Sequence, residues 1–97
     1  MYLSMRKYRV NPRDLDEIMA RVQEGFISAL SREPSFYSYY AVEVCGDAVL
    51  SISVFEDREG AEASNRAASD WVKEHLSELL PEPPEVTVGD VRVHEVA

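Results

Sequence analysis

The chain opens on alternation. In YLSMRKYRV (Tyr2–Val10), Tyr2, Ser4, Arg6, Tyr8 and Val10 share one side of an extended backbone, and Leu3, Met5, Lys7 and Arg9 share the other. That pattern predicts a strand. The period then lengthens. Leu15, Ile18, Met19, Val22, Phe26, Ala29 and Leu30 recur at helical spacing and form one apolar stripe that reaches about residue 31. The helix has a clear start. Asn11 can cap free backbone N–H groups, Pro12 suits a first turn that needs no donor, and Asp14 complements the positive end of the helix dipole. Pro34 stops it.

Ser35–Glu56 (SFYSYYAVEVCGDAVLSISVFE) is rich in aromatic and β-branched residues around a Gly-Asp pair, which predicts a β-hairpin turning at Gly46–Asp47. A two-residue turn there sets Val44 opposite Val49 and Val42 opposite Ser51. One face then carries Phe36, Tyr40, Val42, Val44, Val49 and Phe55, and the other Tyr37, Tyr39, Ala41, Leu50, Ile52 and Val54. Asp57 can cap a second helix that runs to about Leu80, where Pro81–Pro84 (PEPP) ends it. Glu85–Val96 (EVTVGDVRVHEV) reads as a last strand. Its valines change parity around Gly89, which predicts a bulge or break there.

The order is β-α-β-β-α-β, a ferredoxin-like α+β layout with an antiparallel four-stranded sheet and two helices on one face. Both faces of the hairpin are apolar, and two helices cover only one. A second copy packed sheet to sheet would cover the other, so a homodimer is expected. A chain of 97 residues suffices for one domain, residues 1–97, and leaves a limited core.

Charge narrows the partners. Ten basic and 18 acidic residues give a formal net charge of -8, which disfavours nucleic acid and anionic membrane surfaces. Arg6–Arg9 (RKYR) is the exception, and its alternation with Tyr8 reads as a strand with one charged face. One cysteine, Cys45, excludes an internal disulfide and fits a reducing cytoplasm. The N-terminus has no uninterrupted apolar run of the secretory kind, and no stretch nears the roughly 20 apolar residues of a membrane span. A soluble, cytoplasmic protein is expected.

Candidate chemistry gathers on the second helix. At about 100° per residue, Ala61, Ala68, Val72, Leu76 and Leu79 define its apolar direction. Asn65 falls near the centre of that face, with Trp71 and His75 on one flank. Asn65 either binds a ligand oxygen or satisfies itself on backbone or on a Tyr such as Tyr39. Trp71 is either a core anchor or an aromatic wall. His75 is the one interior candidate for a general base, or a partly exposed side chain beside Glu78. Two His and one Cys without cluster spacing supply no metal site, and no Gly-rich phosphate loop or serine-nucleophile motif occurs. Cys45 has no cationic neighbour to activate it.

Two short motifs carry a resemblance. Glu33–Val42 (EPSFYSYYAV) resembles the Pro-x-Phe-x-x-Tyr strand of the antibiotic biosynthesis monooxygenase-like family, within the dimeric α+β barrel superfamily. Ser53–Ser64 (SVFEDREGAEAS) resembles that family's aromatic-Glu-Asp entry into its second helix. The resemblance implies a homodimeric barrel of two sheets, with a ligand cavity between helices and sheet in each subunit. Some members oxidise polyaromatic substrates without metal or organic cofactor, and others degrade haem. Phe36 and Tyr39 carry over as the strand aromatics, and Glu56 and Asp57 as the helix entry. The chain departs from the pattern in two places. Many members place a His near the position of Ser64, where this chain reads ASNRA, and haem-degrading members use a first-strand Asn that is missing here.

The expectation is a cofactor-independent monooxygenase acting on an aromatic or polyketide-like molecule. Asn65 and Tyr39 or Tyr40 would bond the substrate oxygen, Trp71 would form a wall, and His75 would assist deprotonation. The substrate carbanion would then reduce oxygen directly. The alternative is a non-catalytic dimeric ligand-binding or structural module with a filled core.

Overall fold

In the computed structural model, which describes residues 1–97, the alternating segment forms β1 (Tyr2–Arg9). Asn11 is extended (φ -77°, ψ 128°), and its side chain accepts from the Arg13 N–H, opening a 3-10 turn over Pro12–Asp14. Next come α1 (Leu15–Arg21), a wide π-helical segment (Val22–Phe26) and α2 (Ile27–Leu30). The junction residues keep right-handed helical angles, so these pieces form one continuous rod. The hairpin is β2 (Phe36–Val44) and β3 (Ala48–Phe55). Asp57 caps α3 (Arg58–His75), its Oδ1 accepting from the Gly60 N–H at 2.7 Å. Gly60 must be small, because a Cβ there would collide with Ser35 Oγ and Phe55. β4 (Glu85–Asp90) completes an antiparallel sheet of order β2-β3-β1-β4.

Three expectations change. The hairpin register differs by one residue. Cys45 and Gly46 both take positive φ (55° and 75°), Asp47 N–H donates to Val44 O, and Val44 pairs with Ala48 rather than Val49. The central turn pair is therefore Cys45–Gly46, with Asp47 as an extra residue. The slip exchanges the faces of β2 relative to β3. Tyr39 and Ala41 now lie beside Ser53 and Ser51 on the helix side, and Tyr40 and Val42 beside Ile52 and Leu50 on the outer side. Second, α3 ends at His75. Leu76 leaves helical geometry (φ -130°), and the Leu79 and Leu80 N–H groups return to its carbonyl, which turns Leu76 and Leu80 onto Tyr8 and Val10. Third, β4 pairs with β1 without a break through Gly89 and Asp90, then stops, with Val91 N–H donating to Met1 O. The parity change marks the end of the ladder.

The helix side of the sheet holds two apolar clusters. One joins Tyr8, Val10, Leu15, Ile18, Val49, Leu76 and Leu80; the other joins Phe26, Leu30, Phe55, Ala61 and Ala68. Along β1 and β3 the residues between these ends are polar yet buried: Ser4 and Arg6, Ser51 and Ser53. The outer face carries Leu3, Met5, Leu50 and Ile52, with Tyr40 57% and Val42 39% exposed. No helix of the chain is long and apolar enough to cross a membrane.

Candidate functional site

Alternation sends Arg6 inward between Ser4 and Tyr8, while Lys7 and Arg9 stay exposed. Lys7 and Arg9 are the charged face of RKYR, and Arg6 lies with Tyr8 on the buried one. The β1–β3 register sets Arg6 opposite Ser51 and Ser4 opposite Ser53, and α3 adds Ser64 and Asn65. Arg6 is 1% exposed. Its Nη1 donates to Ser4 Oγ (3.1 Å), Ser64 Oγ (3.4 Å) and Asn65 Oδ1 (2.9 Å), and its Nη2 to Ser51 Oγ (3.1 Å) and Ser53 Oγ (2.7 Å). The Phe26 ring lies 5.9 Å from the guanidinium carbon. Arg6 Nε is buried without a partner, and none of the chain's ion pairs includes this residue. Burial lowers the Arg6 pKa, partly opposed by the nearby Tyr8 and Tyr39 phenols. An arginine nonetheless keeps its proton at neutral pH.

Beside this cluster, between the helices and the sheet, is a cavity of about 30 Å³. Tyr8, Phe26, Tyr39, Trp71 and aliphatic side chains line it, and Ser51 is its one small polar residue. Phe26 meets Tyr39 edge-on at 5.5 Å and Trp71 at 5.4 Å. The Tyr39 hydroxyl is 2.8 Å from Ser51 Oγ. Burial raises the Tyr39 pKa, and the Ser51 hydrogen bond and Arg6 offset this in part, so the phenol is a protonated donor at neutral pH.

Trp71 is a partition. Its other side borders an open groove of about 530 Å³ lined by Arg21, Glu24, Gly25, Ser28, Arg32 and His75. Gly25 admits the indole against the first helix, since a Cβ there would lie 3.1 Å from Trp71 Cζ2. The His75 ring stacks at a tilt on Trp71 with centroids 4.8 Å apart, is exposed, and comes within 3.9 Å of Glu74.

The expected site residues thus divide. Tyr39 and Trp71 line the cavity. Asn65 faces the sheet but bonds Arg6 and, at 2.5 Å, Ser4. His75 stands across the indole, outside the cavity. Tyr40 lies on the opposite face of the sheet, moved there by the one-residue difference in the turn. Arg6, Ser51 and Phe26 were not singled out from sequence as site residues. The available signal was Ser4-x-Arg6 and Ser51-x-Ser53, polar residues at strand spacing interleaved with apolar ones.

The arrangement supplies an aromatic-walled space with one hydrogen-bonding pole and a fixed positive charge behind it. It has no group of three His, Cys, Asp or Glu side chains able to hold a metal ion. Haem does not fit the residues present: His75 is outside the cavity and His94 lies in the tail beyond β4, against Tyr37.

No protein-family model and no curated protein matches the chain. Solved structures do. The monooxygenase from the ActVA-Orf6 gene of Streptomyces coelicolor, solved with the ligand nanaomycin D, superimposes with a TM-score of 0.78 at 20% identity, over 99% of this chain and 91% of that one. A protein of unknown function from Nitrosomonas europaea gives 0.76 at 13% identity, over 99% and 93%. A protein from Chloroflexus aurantiacus, named as a candidate antibiotic biosynthesis monooxygenase, gives 0.68 at 23%, over 99% and 98%. The fold is that of the antibiotic biosynthesis monooxygenase-like proteins, as the two short motifs implied.

Proposed function

We propose that this single-domain chain is a cofactor-independent, monooxygenase-like enzyme acting on an aromatic or polyketide-like small molecule, as a cytoplasmic homodimer. The observation that carries the reading is the aromatic cavity of Phe26, Tyr39 and Trp71, with its one polar pole at Ser51. The likeness to a monooxygenase solved with nanaomycin D supports it.

A cavity of about 30 Å³ has room for water and not for a ring. A substrate enters by displacing Trp71, the only wall shared with the outer groove. That movement joins the two spaces and places His75 on the wall of the combined one. There His75 takes a proton from an acidic CH₂ of the substrate. The carbanion passes one electron to O₂, the resulting radical and superoxide combine to a peroxide anion, and the proton held by His75 returns to give the hydroperoxide. Loss of water leaves a carbonyl. The sum is R₂CH₂ + O₂ → R₂C=O + H₂O. Asn65 helps hold the polar end through its bonds to Arg6 and Ser4.

The dimer rests on the outer sheet face, where Tyr40 and Val42 are exposed beside Leu50 and Ile52. A second copy would bury that patch. The test is oxygen uptake with an anthrone. One O₂ consumed per anthraquinone formed, reduced at least tenfold in His75→Ala, is expected. No uptake above the buffer rate would refute the oxygenase reading.

A further inference from the structure

We infer that the cavity selects a ligand carrying an ionised oxygen, a phenolate or enolate, and that Arg6 is the positioning residue that sets this preference through Ser51 and Tyr39. The inference rests on the small-molecule reading above and names its substrate class.

Arg6 is a buried cation without a counter-ion. The chain has 18 acidic residues, yet the guanidinium bonds only to neutral hydroxyls and an amide. Those groups do not need it. Ser4 donates to Asn65, Ser51 pairs with Tyr39, Ser53 reaches Ser64, and Ser64 donates to Ala61 O. The interior thus holds a positive charge that packing does not require, and its Nε is left unsatisfied. Burying a charge without a partner is unfavourable, and an arriving anion would relieve it.

The route to the cavity is short. Arg6 Nη2 donates to Ser51 Oγ at 3.1 Å, and Ser51 Oγ is 2.8 Å from the Tyr39 hydroxyl. Because Ser51 Oγ accepts from Arg6, its own proton is free to point onward. Ser51 and Tyr39 share one of their two O–H protons between them, so the pair offers one free O–H donor at the cavity wall, polarised by the cation behind it. An ionised oxygen accepts from that donor and gains from the charge behind it, and an ether oxygen gains far less.

The experiment compares 4-nitrophenol with its methyl ether, 4-nitroanisole, in absorbance titrations of the full chain. Above the ionisation of the free phenol, nitrophenolate is expected to bind about tenfold or more tighter than nitroanisole, and the bound phenol to ionise at lower pH than the free one. Arg6→Lys keeps the charge and retains a preference. Arg6→Met and Ser51→Ala lose it while still binding nitroanisole, which a merely structural role would not produce. Should Arg6→Met fail to fold, Ser51→Ala decides. Equal binding of both probes to the unmodified chain, or a preference surviving Ser51→Ala, overturns the inference and leaves the cavity reading intact. Binding of neither probe overturns both.

Discussion

Replacing Arg6 by Met is expected to stabilise the protein, although it removes five hydrogen bonds. The effective cost of taking an ion out of water is several kcal/mol even after relaxation. Losing a buried charge is strongly destabilising when an opposite charge is left alone, and here there is none. Each hydroxyl around Arg6 also keeps another partner. Exchanging buried ions for apolar side chains of similar volume is commonly neutral or stabilising by about 1–4 kcal/mol. The unsatisfied Nε adds to the relief. We expect a gain of about 2 kcal/mol, which for a domain of this size raises Tm by roughly 10 °C. Urea unfolding at fixed protomer concentration, with an unchanged slope, measures it. A loss of more than about 1 kcal/mol would refute the reasoning. The five hydrogen bonds would then outweigh desolvation, and Arg6 would be a packing anchor.

Gly60→Ala is expected to lose about 2–3 kcal/mol in the same assay, because the added methyl meets Ser35 and Phe55 inside a closed contact; an unchanged midpoint would mean that the loop before α3 yields freely. Ile52→Glu places a charge between Met5 and Tyr40 on the outer face and should convert a dimer to a monomer in size-exclusion chromatography with light scattering; an unchanged mass counts against association through that face. Tyr8 and Tyr39, both raised mainly by burial, should ionise above the ordinary phenol value when tyrosinate absorbance is followed against pH. Their folded pKa values exceed the unfolded value near 10, so the stability they confer is complete below about pH 10 and declines above it. An absorbance change already complete around the ordinary phenol value would contradict this.

The element order was legible because each helix has a local start signal, Asn11 and Asp57, and the strands alternate. Strand register was less legible. It depended on which residues of Val44–Ala48 take positive φ, and Cys45 does so without the usual Gly or Asn signature. That one residue decides whether Tyr39 or Tyr40 faces the helices. The helical wheel correctly turned Asn65 to the sheet, but it carried no information on what the sheet presents there. Arg6 was hidden for a chemical reason. Arginine is rarely fully buried without an anion, so a basic run reads as surface. The interior position of Arg6 follows from pairing with Ser51 and Ser53, residues more than 40 positions away.

The wide segment at Val22–Phe26 lets the first helix count in fours. Ile18, Val22, Phe26 and Leu30 are each four residues apart, and on a regular helix every such step overshoots a full turn by about 40°. Three steps would carry Leu30 about 120° around the cylinder, off the sheet. The looser winding absorbs this drift, and both Phe26 and Leu30 stay buried. The segment thus behaves as a one-residue insertion that the fold has come to depend on. Ordinary winding through the same number of residues would turn everything after it by about 100°. Phe26, the one ring that touches Tyr39, Trp71 and the guanidinium of Arg6, would rotate out of the cavity wall.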